Sequence, residues 1–120
     1  MQVMDAADAL AQLTEISTEV IEVVTVAPKG SVEAYSGVTI SRANELASAA
    51  SELVALAGGH APGGTDVARV QVERAGGGLF VVAEEARLVV ATTVAEATAG
   101  LVVHDLRTVL RRSATPEDGS

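Results

Sequence analysis

The stretch DVARVQVERAGGGLFVVAEEARLVVATT, residues 66–93, decides the fold. Its apolar runs are rich in β-branched residues, which favour strands. Two short breaks divide them: Ala75–Gly78, where glycines can take the positive φ of a hairpin turn, and the polar segment Glu84–Ala86. The stretch therefore predicts three antiparallel strands joined by tight turns.

The two faces of each predicted strand indicate its place in the sheet. In the first strand of the stretch, Ala68, Val70 and Val72 alternate with polar residues, as in an edge strand, and the half-polar segment 31–36 has the same character. The other segments are apolar on both faces, which is typical of strands covered on both sides. The expected central strands are 19–27, 79–83 and 87–93.

Three segments have the apolar periodicity of helices: 4–17, 41–57 and 95–112. The first segment places Leu10, Leu13 and Ile16 on one face. The second has Ser41 as a candidate N-cap, is followed by Gly58 and Gly59, and its main apolar stripe is Leu46, Ala49, Ala50, Leu53 and Leu56. The third is expected to face inward through Val102, Val103, Leu106, Val109 and Leu110.

The order helix, two strands, helix, three strands, helix predicts an α+β fold. Since doubly covered central strands need helices on both faces, we expect three layers, α/β/α, around a five-stranded antiparallel sheet, as in profilin. A chain of 120 residues is expected to form one domain, which we place at residues 1–112, with 113–120 as a disordered tail.

Composition restricts the functional classes. The absence of cysteine excludes disulfides and thiolate metal sites, and a net charge of −8 argues against nucleic acid as a partner. The N-terminal sequence MQVMDAADAL lacks the features of a secretory signal, and no apolar stretch approaches the roughly 18 residues of a membrane span. We therefore expect a cytoplasmic protein.

No catalytic constellation is visible in the sequence. The glycine-rich segments 58–64 and 76–78 lack the P-loop ending and do not lead into a helix, so they are interpreted as turns. His60 and His104 have no ligand-type partner at helical spacing, and Glu84 and Glu85 are interpreted as solvated turn charges. No catalytic, cofactor-binding or metal-binding residue is predicted, and the protein is not expected to be an enzyme.

Glu22 is an unusual carboxylate on a predicted central strand. It is expected either to reach water near the start of that strand or to pair with an arginine such as Arg87.

The predicted edge strand 67–74 suggests an interaction. It is long and regular and contains no proline, so it could pair with a strand of a second copy. The alternative is that Arg69, Glu73 and Arg74 protect the edge of a monomer.

The order of elements resembles the Roadblock/dynein light-chain family over residues 6–112. The resemblance rests on VVTVAPKGSVEAYSG at 23–37, ELASAASELVALA at 45–57, VQVERAGGGLFVVA at 70–83, LVVAT at 88–92 and AGLVVHDLR at 99–107. Two turns depart from the family pattern: Lys29-Gly30 stands where Asp-Gly is usual, and the turn at 84–86 is tighter than the Gly-Asp-containing one often seen.

The resemblance implies a non-enzymatic adaptor without a cofactor, which forms a homodimer and binds and regulates a small Ras-like GTPase, in an actinobacterial setting together with a sensor kinase. By position, the implied dimer residues are Ala47, Ala50, Val54, Val67, Ala68, Val70 and Val72. Two alternatives stay open: a domain that senses a small molecule, and a purely structural homodimer.

Overall fold

The computed structural model describes residues 5–27, 30–56, 67–84 and 87–112. These residues form three helices and five strands in the predicted order. The elements are α1 (Ala6–Ile16), β1 (Val20–Val26), β2 (Val32–Ser36), α2 (Ile40–Leu56), β3 (Val67–Arg74), β4 (Gly77–Glu84), β5 (Arg87–Thr93) and α3 (Ala99–Arg112). The α+β fold with helices on both faces of the sheet is confirmed. The predicted tail at 113–120 and the loop containing His60 lie outside the described residues.

All strands belong to one antiparallel sheet in the order β2-β1-β5-β4-β3. The prediction that β1, β4 and β5 are central and that β2 and β3 are edges is therefore confirmed. In β1, β4 and β5 the buried positions fall on both faces, since consecutive residues such as Val89, Val90 and Ala91 are fully buried. Continuous β-branched runs are what strands between two helical layers require.

The first hairpin turn is shorter than predicted. Arg74 pairs with Gly77, so the turn is Ala75-Gly76, and β4 begins two residues before the predicted Leu79. The left-handed φ belongs to Gly77, at +153°, and not to Gly76. A Cβ atom on Gly77 would collide with the carbonyl oxygen of Thr93 on β5, so this position needs glycine for space as well as for φ. Of the second turn, Glu85 and Ala86 lie outside the described residues.

One layer consists of α1 and α3 packed side by side on the sheet. Leu10 and Leu13 of α1 are buried there, whereas Ile16, which was predicted on the same face, is largely exposed at the end of the helix. All five residues predicted to face inward from α3 are buried, and Phe80 lies among them. The helix itself begins at Ala99, later than the predicted start near Ala95.

Among the described residues, the second layer consists of α2, which lies against the opposite face of the sheet. Its buried side chains are Ala43, Leu46, Ala47 and Ala50. The predicted stripe was rotated relative to this face, because Ala49 and Leu56 are exposed and Ala43 and Ala47 take their places. Three of the four buried residues are alanines, so the backbone of α2 lies close to the valines of β1 and β5.

Local capping explains where the helices begin. Asp5 accepts a hydrogen bond from the backbone N–H of Asp8 at 2.8 Å and caps α1. For α2, the N-cap is Thr39 and not the predicted Ser41, because Thr39 Oγ1 accepts from the backbone N–H of Arg42 at 3.2 Å. The helix consequently starts one residue before Ser41, at Ile40.

Candidate interaction surface

The edge of β3 is suited to pairing with another strand. All eight of its residues pair with β4 in continuous register, without the irregularity that interrupts the pairing of β1 with β2. The other edge, β2, has five residues, and α1 packs against it. The long, regular strand β3 therefore presents the larger row of outward backbone N–H and C=O groups.

The two faces of β3 differ in chemistry. Val70 lies opposite Val81 and Val72 opposite Leu79, so both point to the layer of α2. Val70 is half-buried, whereas Val72 keeps 37% of its surface exposed. The exposed residues Arg69, Gln71 and Glu73 point to the side of α1 and α3. The outer edge of β3 thus lies between an apolar face of the sheet, on the side of α2, and a charged face on the side of α1 and α3.

The exposed side of α2 continues the apolar face of β3. Leu53 and Val54 are partly buried on the flank of the helix, and Leu56 at its end is 83% exposed. Ile40 is about half exposed at the other end. Between these ends the exposed residues include the small Ser48, Ser51 and Ala55 and the acidic Glu45 and Glu52. Since one helix spans a five-stranded sheet, the layer leaves apolar surface that a second molecule could cover.

The structure places the residues implied as dimer contacts in different environments, some buried and some accessible. Ala47, with 4% of its surface exposed, and the fully buried Ala50 pack against the chain's own sheet and offer almost no area to a partner. Val54, Val70 and Val72 lie on the accessible side, while the side chains of Val67 and Ala68 are outside the described residues. Sequence reasoning did not predict that Leu56 and Ile40 are exposed and could contact a partner. The available signal was that each is an apolar residue at an end of α2, beyond the residues that face the sheet.

An ion pair fastens α2 to the sheet. Arg42 donates from Nε and Nη2 to the carboxylate of Glu22 at 3.4 Å each, and Thr92 Oγ1 donates to Glu22 Oε1 at 2.8 Å. Burial raises the pKa of Glu22, but the hydrogen bonds from Arg42 and Thr92 and the charge of Arg42 outweigh it, so the pKa lies below its ordinary value. Glu22 thus lies near the start of β1 and pairs with an arginine, as predicted, but that arginine is Arg42 and not Arg87.

Arg87 instead joins three elements on the other side of the sheet. It is 7% exposed, donates from Nη2 to Glu33 Oε1 on β2 at 2.8 Å, and donates from Nη1 to the carbonyl of Leu110 on α3 at 2.9 Å. The guanidinium thereby satisfies one of the carbonyl groups left free at the end of α3. This arrangement is structural, since Glu33 and Arg87 hold an edge strand and a helix end in place.

The other ionisable side chains of the described residues are at least partly exposed or are paired with one another. His104 is exposed on α3, as predicted, and within the described ranges no group of three acidic, histidine or cysteine side chains could hold a metal ion. The prediction that Glu84 is a solvated turn charge is wrong: it ends β4, its side chain is only 15% exposed, and it accepts from Arg107 at 3.2 Å and from Arg111 at 3.5 Å. None of the helices in this part of the chain has both the length and the apolar character to cross a membrane.

Comparison of the fold with solved structures gives clear relatives. A Roadblock/LC7 domain from Streptomyces avermitilis superimposes with a TM-score of 0.76 at 23% identity, over 90% of this chain and 93% of the other. The chain has the Roadblock/LC7 fold. The resemblance inferred from the strand and helix patterns is thus confirmed at the level of architecture, and the Streptomyces source fits the actinobacterial type.

Two further solved structures also match the fold. A second structure of a Roadblock/LC7 domain from the same organism gives a TM-score of 0.70 at 23% identity, over 88% of this chain and 94% of that one. Myxococcus xanthus MglB gives 0.56 at 16% identity, over 89% and 86%. No protein-family model matches the sequence, and no curated protein matches it. The likeness is therefore carried by the backbone and not by sequence identity.

Proposed function

We propose that this chain forms a homodimer through the edge of β3 and the adjacent flank of α2, and that the dimer is a non-enzymatic cytoplasmic scaffold for a small Ras-like GTPase. The observation that carries the proposal is the regular outer edge of β3, which pairs with no second strand among the described residues and lies beside incompletely covered apolar residues. The GTPase partner, and the association with a sensor kinase system, rest on the resemblance to the Roadblock family and on the shared fold.

The proposed dimer would satisfy the outward backbone groups of β3 and cover exposed apolar side chains of β3 and α2. Antiparallel pairing of two β3 strands would satisfy the outward backbone groups of both. The same step would bring Val72, Leu53 and Val54 of each copy toward the other and remove their remaining exposed apolar area from water. The small residues Ser48, Ser51 and Ala55 would allow the two α2 helices to approach closely.

A GTPase would then dock on the surface made by the two α2 helices. On that surface the exposed side chains of Ile40 and Leu56 supply apolar contacts, and those of Glu45 and Glu52 supply negative charge. The proposed work of the chain is to present this surface, because the described residues contain no acid, base and nucleophile in one place.

The dimer can be tested with a charged substitution on β3. Val72→Asp should give a folded monomer in size-exclusion chromatography with light scattering, because a carboxylate would have to be buried at the two-fold contact. Gln71→Asp is the matched control, since residue 71 points to the opposite, polar face and should keep the dimer mass. A dimer of Val72→Asp with wild-type stability would refute the β3 interface.

The GTPase is tested separately. Purified protein is used to capture partners from lysate of its source organism, in parallel with GDP and with a non-hydrolysable GTP analogue, and captured proteins are identified by mass spectrometry. We expect a small GTPase, enriched with one of the nucleotides. A verified dimer that captures no GTPase in either nucleotide would contradict the scaffold role and favour a purely structural dimer, or a sensor domain if a ligand raises the melting temperature.

A further inference from the structure

A second surface lies on the opposite face of the sheet from α2. There, α3 and the charged face of β3 form the walls of an open groove, which we call the arginine groove. It consists of two adjoining depressions of about 370 Å³ and about 220 Å³, which share Arg69, Gly100 and Val103. Its remaining lining residues are Val70, Gln71, Ala99, His104, Arg107, Thr108 and Arg111. The groove exists because α3 covers β4 and β5 but does not extend over β3.

The charge of the groove is opposite to that of the protein. Arg69, Arg107 and Arg111 line it in a chain whose net charge is −8. Glu84 is the carboxylate that pairs with two of these arginines, since its Oε2 atom accepts from Arg107 at 3.2 Å and from Arg111 at 3.5 Å. Three guanidinium groups therefore line the groove while one carboxylate pairs with two of them, which leaves positive charge in the groove.

The arginines also retain unused hydrogen-bond donors. Arg69 makes no hydrogen bond or ion pair with any residue that the structure describes. Arg107 Nε is buried and lacks a hydrogen-bond partner within the same residues. Arg111 is well exposed, and its contact with Glu84 is long. A guanidinium has five N–H donors, so this groove offers several to an incoming acceptor.

We propose that the arginine groove binds an acidic segment of a partner protein, with carboxylates paired to Arg69, Arg107 and Arg111. A protein segment suits the site better than a small anion, because the groove is long and open and its floor includes the apolar Val103 and the unoccupied space beside Gly100. Charged side chains at the walls with an apolar floor are typical of peptide-binding surfaces.

This inference does not rest on the proposed dimer or on the GTPase. All residues of the groove belong to one chain, and they lie on the face of the sheet opposite α2. If β3 does pair with a second copy, the two grooves lie on the same face of the joined sheet, one on each side of the two-fold axis, and the site is doubled.

Two matched pairs of variants test the groove. Arg111 and Arg112 are neighbours in the last turn of α3, but Arg112 turns to Gln12 on α1, outside the groove. Arg69 and Arg74 are both exposed on β3 but point to opposite faces of the sheet. In each pair, arginine is replaced by glutamine, so the loss of charge is the same and only the position differs.

The probe is a fluorescein-labelled peptide of glutamate residues, with its glutamine counterpart as the uncharged control. Binding is measured by fluorescence anisotropy at low salt and mapped by amide chemical shifts. We expect shifts in β3 and α3 with the glutamate peptide alone. Arg111→Gln and Arg69→Gln should each weaken binding about tenfold, as for the loss of one charge-assisted contact, whereas Arg112→Gln and Arg74→Gln should change it less than about twofold.

Three results would overturn the proposal. Equal weakening by all four variants would mean general attraction of a polyanion. Amide shifts confined to other elements would place the binding elsewhere. Inorganic phosphate that displaces the peptide with equal affinity and shifts the same amides would make the groove a site for small anions.

Discussion

The ion pair between Arg87 and Glu33 gives the sharpest test of how this sheet is held together. Glu33→Gln preserves the size of the side chain and an oxygen acceptor but removes the negative charge. Removing one partner of a buried ion pair costs about 3–5 kcal/mol of unfolding free energy, because the other charge is left buried. Arg87 keeps its hydrogen bond to Leu110, and the side chain of Glu33 retains 23% of its surface in water. We therefore expect a smaller loss, about 2 kcal/mol.

The assay is urea denaturation followed by far-ultraviolet circular dichroism, since the chain has no tryptophan and a single tyrosine. Glu45→Gln is the control: Glu45 contacts Arg42 at 3.5 Å and is 71% exposed, so its loss should cost less than about 0.5 kcal/mol. In the Arg87→Met background, Glu33→Gln should cost little, because no buried charge remains. If Glu33→Gln costs no more than Glu45→Gln, the pair behaves as a surface contact and the reasoning fails.

Two further predictions concern the turn and the pH. Gly77→Ala should lose about 2 kcal/mol of unfolding free energy through the left-handed φ and the collision with Thr93, whereas Gly76→Ala, which points into open space, should be neutral or slightly stabilising; similar denaturation midpoints for the two variants would contradict the turn geometry. For Glu22, the pKa is lowered by folding, so its carboxylate stabilises the fold above the ordinary value of 4.5, and this stabilisation is lost as the pH falls through the lowered pKa. Glu22→Gln should therefore be less stable than the wild type at neutral pH and equal to it in strong acid, as measured by denaturation at several pH values; a difference that does not change with pH would refute the assignment.

The arrangement of the strands could be predicted because burial leaves a direct trace in sequence. Strands covered on both faces need apolar residues at successive positions, and edge strands tolerate polar ones, so the central places of β1, β4 and β5 and the edge places of β2 and β3 could be predicted. The face by which each helix packs against the sheet was harder to predict. Alanine is compatible with either side of α2, so periodicity did not determine whether Ala47 or Ala49 faces the sheet.

The partner of Glu22 could have been chosen better from the sequence. In an antiparallel pair, the start of one strand lies beside the end of the other, so Glu22 near the start of β1 pairs with Thr92 near the end of β5. Arg87 begins β5 and is therefore five residues away, roughly 17 Å along the strand. The actual partner, Arg42, lies on a helix, and its position depended on how α2 crosses the sheet.

Of the candidate surface, the strand edge was predictable and the helix contribution was not. The lack of proline and the regular alternation in β3 are visible in the sequence. The exposure of Leu56 and Ile40 depends on where the buried face of α2 ends. The arginine groove could not be predicted either, because Arg69 and Arg107 are brought together only by the packing of α3 beside β3.

The alternation of β3 has a consequence for the symmetry of any self-pairing. Directly opposite residues of two antiparallel strands point to the same side of the sheet. The apolar faces of two copies therefore join only if even-numbered residues of one β3 lie opposite even-numbered residues of the other. The rotation axis must then pass beside a residue that lies opposite its own duplicate, such as Val70 or Gln71. The midpoint of the eight-residue strand falls between these two. If all eight residues paired, Val67 would lie opposite Arg74, and α2 of one copy would lie on the same side of the sheet as α3 of the other. A joined sheet with α2 of both copies on one side therefore leaves one residue unpaired at an end of each strand.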